Sequence, residues 1–125
     1  MEEHPNIAAA RRMNEAMQRG DMEEAASFVA DDVVWHMIGA AEPVRGKAAL
    51  AASMQAAGSG AEIAWVTHDI VGNDDHVVAL VEATATRAGK SLTYRTAEIY
   101  HMKDGRLTER WAFSDDTAAI NEFFG

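Results

Sequence analysis

The chain contains no cysteine and only two prolines, and aromatic residues make up just 7% of its 125 residues. Without cysteine, disulfide bonds and thiolate chemistry are excluded. No apolar run approaches the roughly 20 residues that span a bilayer. The first residues, MEEHPNIAAARRM, also lack the basic-then-apolar order of a signal peptide. We therefore expect no membrane segment and, by default, a cytoplasmic location.

Basic residues are scarce as well. The chain has 11 of them against 20 acidic residues, which gives a net charge of -9, and they are scattered rather than clustered. A surface of this kind repels a phosphate backbone. We therefore expect no nucleic-acid partner.

The length and composition fit one globular domain over residues 1–125. Hydrophobic residues make up 48% and charged residues 25%, which is ordinary for a soluble globular protein. A chain of this size can close one hydrophobic core.

The first half of the sequence has the periodicity of helices. A first helix is predicted from about Pro5 to Arg19, because proline suits a first turn and Gly20 ends the apolar pattern. Asp21 is a capping residue before an acidic first turn, so a second helix should run to about Val29. After the strand DDVVWHMIG and the loop EPVRG, the segment KAALAASMQAAG predicts a third helix.

The second half has the alternation of β-strands separated by the turn sequences NDD, AGK and KDG. The tail DDTAAINEFFG predicts a short capped helix. Together these elements make an α+β domain with an antiparallel meander, and the helices must cover one face of the sheet. The predicted strands are AEIAWVTHDIVG, HVVALVEATATR, SLTYRTAEIYHM and RLTERWAFS.

Three segments resemble a known superfamily: GDMEEAASFVADDVVWH, VRGKAAL and YHMKDGRLTERW. In this order they resemble the nuclear-transport-factor-2-like fold, especially its SnoaL-like and ketosteroid-isomerase-like branches. The resemblance implies a cone-shaped, strongly curved antiparallel sheet wrapped around three N-terminal helices, with a short C-terminal helix. The superfamily includes isomerases, dehydratases, epoxide hydrolases, polyketide cyclases and non-enzymatic binding domains, so the fold alone leaves the function open.

The register of the hairpin around KDG decides which residues meet. A type I turn followed by a bulge at Gly105 would pair Glu98 with Arg110. A tight two-residue turn would shift the pairing by one and set Glu98 opposite Trp111. We favour the bulged version.

The resemblance implies a candidate catalytic group. Glu98 matches the acid that donates a hydrogen bond to the substrate oxyanion in ketosteroid isomerase, and Tyr94, Tyr100 and Arg110 would lie beside it. Burial would favour the protonated acid, whereas Arg110 would favour the carboxylate. The alternative is an ion pair that only fixes the strand register. If the sheet faces are reversed, Glu82 becomes a rival to Glu98.

The same alignment implies a ligand-binding wall and the loss of the known catalytic sets. The general base of ketosteroid isomerase falls at Met37 and its oxyanion tyrosine at Met13, while the acid of related cyclases and epoxide hydrolases falls at Ala112. These side chains carry no titratable proton, so whether the chain is an enzyme stays open. The residues expected to contact a ligand are Trp35, Met37, Met13, Met54, Trp65, Val81, Thr96 and Ser114.

The other sheet face is predicted to be apolar and to need a partner, which implies a homodimer through the convex face. No close histidine pair occurs, so we expect no metal and no cofactor. The residues expected on this face are Val78, Leu80, Ile99, Leu107, Trp111 and Phe113.

Together, these features predict a domain that binds a small hydrophobic molecule in a deep cone cavity. It could act as a cofactor-free isomerase, cyclase, dehydratase or hydrolase with Glu98 as acid or base. The alternative is a non-catalytic ligand-binding or dimeric interaction domain.

Overall fold

The first two helices begin at residues whose side chains cap them. A computed structural model describes residues 3–57 and 62–124. His4 accepts a hydrogen bond from the Asn6 N–H at the start of α1, and the Asp21 carboxylate accepts one from the Glu24 N–H at the start of α2. None of the described helices is long and apolar enough to cross a membrane. The helices are α1 (Pro5–Gln18), α2 (Met22–Ser27), α3 (Lys47–Ala57) and α4 (Thr117–Phe124).

The strands form one curved, unclosed sheet of six strands in the order β2-β1-β6-β5-β4-β3. The four long strands pair antiparallel, as predicted, but β1 joins β6 in parallel. It can do so because α3 and the long meander separate β1 from β6 along the chain. The strands are β1 (Val29–Trp35), β2 (Val44–Arg45), β3 (Glu62–Gly72), β4 (His76–Arg87), β5 (Lys90–Lys103) and β6 (Arg106–Ser114).

Three elements differ from the prediction. The first strand, predicted over DDVVWHMIG, runs from Val29 to Trp35 instead and leaves Met37 outside the sheet. The second helix ends at Ser27 rather than Val29, because the Phe28 carbonyl already accepts a hydrogen bond from the Leu107 N–H of β6. The predicted EPVRG loop contains the short strand β2, where Val44 pairs with Trp35.

The β5–β6 hairpin has neither of the two registers considered from the sequence. Asp104 and Gly105 both have positive φ angles (53° and 77°), which makes a two-residue turn between Lys103 and Arg106. A bulge between His101 and Met102 then shifts the pairing, so that Glu98 lies opposite Ala112 and Tyr100 opposite Arg110. The prediction that Glu98 pairs with Arg110 in register is wrong by two residues.

A register shift of two residues keeps the same β5 residues on the inner face of the sheet. The bulge, in contrast, interrupts the alternation of β6, so residues before and after it that are an odd number of positions apart face the same side. Leu107, predicted on the outer face, is therefore completely buried in the core. Arg110, three residues later, is buried on the same inner side.

The helices cover the inner face of the sheet, and the core lies between them. Small β4 side chains on this face are buried, as the predicted parity requires. Glu82 is on the opposite, exposed face, where its carboxylate lies 3.3 Å from Arg95. The buried inner residues of β4 are Val77, Ala79, Val81, Ala83 and Ala85.

Candidate functional site

Glu98 and Arg110 form an ion pair on the inner face of the sheet. Glu98 Oε1 accepts hydrogen bonds from Arg110 Nη2 at 2.9 Å and Nε at 3.3 Å. The side chains are only 18% and 10% exposed, respectively. The pair spans neighbouring strands diagonally, because the hairpin bulge sets Arg110 opposite Tyr100 rather than Glu98.

Two hydroxyl groups complete the surroundings of the carboxylate. The Tyr100 hydroxyl donates to Glu98 Oε1 at 3.3 Å, and Thr96 Oγ1 donates to Oε2 at 3.5 Å. Oε1 thus accepts three hydrogen bonds, while Oε2 has one long contact. Oε2 is therefore the carboxylate oxygen with capacity left for a ligand.

Arg110 is held from two further sides. Its Nη1 donates to the His36 carbonyl at 3.0 Å, and its Cζ lies 4.4 Å from the centre of the Trp35 ring, a cation–π distance. Sequence reasoning did not include the His36 carbonyl, because main-chain acceptors leave no signal in side-chain patterns. These contacts fix the guanidinium against both β5 and β1.

Both tyrosines of the chain lie near this pair. Burial raises the pKa of Tyr100 well above its usual value, and the Glu98 carboxylate adds to that increase. Burial also raises the pKa of Tyr94, again with a contribution from Glu98, while Arg110 acts in the opposite direction. Both hydroxyls therefore stay protonated and can donate at neutral pH. Within the described residues the Tyr94 hydroxyl has no protein hydrogen-bond partner, so it can donate to a ligand.

An apolar cavity of about 100 Å³ lies between the first three helices and β1. Of the residues predicted to bind a ligand, Met13 and Trp35 line it. Trp35 thus contacts both this cavity and Arg110, although the Glu98 cluster is not part of the cavity wall. The lining residues are Met13, Met17, Met22, Ala25, Ala26, Val29, Trp35, Lys47, Leu50 and Ala51.

The other predicted ligand contacts do not line this cavity. Met37 and Trp65 are half-buried and pack against the core, and Val81 is buried in it. Thr96 is buried beside Glu98, and Ser114 lies opposite Thr96 in the strand register. The side chain of Met54 lies outside the described part of the structure.

Trp65 is fixed by a helix residue that was not among the predicted site residues. Its Nε1 donates to Asn14 Oδ1 at 2.6 Å, and Asn14 Nδ2 donates to Thr67 Oγ1 at 2.5 Å. A polar residue within an apolar helical stripe is the signal that could have identified Asn14.

The acids nearest to the end of β6 have local structural roles. Asp115 Oδ1 accepts a hydrogen bond from the Arg95 N–H, and Asp116 Oδ1 accepts one from the Ala119 N–H at the start of α4. Ala112, opposite Glu98 in the strand register, carries no titratable group. Within residues 3–57 and 62–124, no three histidine, aspartate or glutamate side chains converge to hold a metal ion.

A family model for the SnoaL-like domain matches residues 10–110. The protein therefore belongs to the SnoaL-like family, within the nuclear-transport-factor-2-like superfamily. Its relatives include Mb0035 of Mycobacterium bovis, which is 30% identical over 99% of this chain and 99% of the relative.

Solved structures show the same fold. Bal32a, from a soil-derived mobile gene cassette, has a TM-score of 0.89 and 25% identity, with 97% of each chain covered. An LEH-like epoxide hydrolase of M. tuberculosis has a TM-score of 0.78 with 94% of this chain and 87% of its own covered. Its identity to this chain is 17%, so this similarity concerns the fold alone.

Proposed function

We propose that the protein binds a small hydrophobic molecule in the cavity between its helices and β1. The observation that carries this proposal is an apolar cavity walled by Met13, Met17, Leu50 and Trp35. Methionine side chains adapt to ligand shape, and Trp35 adds an aromatic side chain to the wall. Burial of an apolar ligand here is favoured by about 25 cal/mol for each Å² removed from water.

The size of the cavity limits the ligand. Its volume of about 100 Å³ is below the roughly 300–1,000 Å³ of sites for drug-sized molecules. It is nearer to the roughly 150 Å³ of an engineered apolar cavity that accommodates benzene. We therefore expect a single ring or a short branched chain, with the methionines moving to admit it.

Filling the cavity should prevent binding. We expect toluene to shift the ¹³C-methyl NMR signals of Met13 and Met17, and Ala25→Leu to weaken its affinity at least tenfold, because the added side chain occupies cavity space. Ala118→Leu, at an exposed position of α4, is the control and should bind toluene like the wild type. If toluene leaves both methyl signals unchanged, or if Ala25→Leu binds it equally well, the cavity is not the binding site.

A second candidate function is catalysis at Glu98. The observation that favours it is the Tyr94 hydroxyl, which has no partner within the described residues, near a carboxylate whose Oε2 has one long contact. In such a reaction Tyr94 would polarise a substrate oxygen and Glu98 would move a proton at Oε2. No cofactor is needed for these two roles. The contacts of Arg110 with Glu98 oppose it, because they favour a fixed carboxylate that only accepts hydrogen bonds.

We infer that a second copy of the chain covers the convex sheet face. Phe113 and Val66 are 60% and 67% exposed there, and Leu80 is 39% exposed. Two acidic groups on this face have partners: Glu82 pairs with Arg95, and the Glu109 carboxylate lies 2.7 Å from His36 Nε2. For a chain with a net charge of -9, a face with exposed apolar side chains and paired acids lets two copies meet with reduced repulsion.

An added charge on this face should separate the copies. We expect the wild type to sediment as a dimer at micromolar concentration and Phe113→Asp to sediment as a monomer, because the carboxylate would lose its water in the interface. Ala118→Asp adds the same charge on α4 and should leave the dimer intact. A monomeric wild type, or a dimeric Phe113→Asp, would place the contact between copies elsewhere.

A further inference from the structure

The mouth of the apolar cavity lies at the beginnings of α2 and α3. Most residues of the cavity wall are buried or half-buried, but Met22 is 50% exposed and Ala51 is also exposed. Lys47, the first residue of α3, lines the cavity together with these two residues. A ligand can therefore enter between the two helices without disturbing the sheet.

Lys47 is the one charged residue in the described wall of the cavity. Its side chain is 34% exposed, and its Nζ lies beside the exposed carboxylate of Asp31, which fits a lysine that packs its aliphatic stem on an apolar surface and keeps its ammonium group towards water. Arg19, nearby in the chain before α2, already pairs with Asp21 and Glu24. Lys47 is thus the cation that the wall presents at the mouth.

The protein partner of Lys47 is weakly held. Lys47 Nζ lies 3.5 Å from Asp31 Oδ1, and the Asp31 side chain is 92% exposed. An exposed ion pair at this distance contributes little free energy, typically below about 1 kcal/mol. A ligand carboxylate that also buries a ring in the cavity can replace Asp31 as the partner of Lys47.

On these grounds we propose that the ligand is a small aromatic or alicyclic carboxylate, with its ring in the cavity and its carboxylate on Lys47 at the mouth. This inference rests on the proposed binding function and adds the chemical class of the ligand. It assigns Lys47 as the residue that selects anions over neutral molecules of the same shape. An anion is otherwise disfavoured by the net charge of the chain, so the selection must be local.

The test compares benzoate with benzamide, which has nearly the same shape and no charge. We expect wild-type protein to bind benzoate about fivefold more tightly than benzamide, the effect of one partly exposed ion pair, as followed on the Met13 and Met17 methyl signals. In Lys47→Met this ratio should fall to about one, whereas Lys47→Arg should keep it. Lys103→Met, which removes an exposed lysine from the end of β5, is the matched control and should leave the ratio unchanged.

Two further results separate the possible failures. High salt should lower the benzoate affinity and leave the benzamide affinity unchanged, because only the ion pair is screened. Equal affinities for benzoate and benzamide in the wild type, or a ratio that survives in Lys47→Met, would overturn the anion proposal while toluene still binds. If the wild type does not bind toluene at all, the binding function itself is overturned.

Discussion

Replacing Leu107 by alanine is expected to lower the free energy of unfolding by about 3 kcal/mol, since leucine-to-alanine changes in cores cost roughly 2–5 kcal/mol. Leu107 is completely buried, and its backbone N–H donates to the Phe28 carbonyl, which joins β6 to the beginning of β1. The surrounding sheet cannot collapse into the space that the side chain leaves, because the strands are fixed by their hydrogen bonds. Urea denaturation gives the measurement.

Phe113→Ala is the matched control for this change. Phe113 lies on the same strand but is 60% exposed, so its replacement should alter stability by no more than about 0.5 kcal/mol in a monomeric sample. Both variants should be compared at protein concentrations low enough to dissociate any dimer. Equal losses of unfolding free energy in the two variants would mean that Leu107 and Phe113 share one face of the sheet. The strand pairing would then have no bulge between His101 and Met102.

The contrast between these two residues shows where sequence reasoning reached its limit. Strict alternation along RLTERWAF puts Leu107 and Phe113 on one face, and the turn sequence KDG indicates the hairpin itself. The bulge that separates them leaves no clear mark in the residues around Thr108. The bulge is visible only in the structure, where Leu107 and Arg110 are both buried although they are three positions apart. Strict alternation along a strand does not allow this.

The candidate site was predictable in part for the same reason. The turn and the bulge each move the predicted pairing by one residue in the same direction. The total shift of two residues leaves the assignment of β5 residues to the sheet faces unchanged, so Tyr94, Glu98 and Tyr100 share the inner face as expected. The cavity was less accessible to sequence reasoning, because its wall includes α2 residues such as Ala25 and the beginning of α3 at Lys47. Their approach depends on how three helices pack together, which no local pattern encodes. The functional roles of all these residues stay predictions.

Replacing Arg110 by methionine is expected to lower the free energy of unfolding by about 3 kcal/mol, at the low end of the range for breaking a buried ion pair. The change leaves the Glu98 carboxylate on the inner face without its guanidinium, and it also removes the hydrogen bond to the His36 carbonyl. Glu98→Gln should cost less, because the amide oxygen can still accept from Arg110. The double variant should cost less than the sum of the two single variants, because Arg110→Met already removes the contact that Glu98→Gln weakens.

The tyrosine titration distinguishes an electrostatic effect of this pair from a general loosening of the fold. Only two tyrosines are present, so tyrosinate absorbance reports Tyr94 and Tyr100 directly. Glu98 raises and Arg110 lowers the pKa of both residues, so Arg110→Met should raise both pKa values and Glu98→Gln should lower them. Shifts in the same direction in both variants would indicate loosening instead. If Glu98 also carries protons in a reaction, Glu98→Gln should abolish turnover while toluene still binds at Met13 and Met17, because the cavity wall does not include the Glu98 carboxylate.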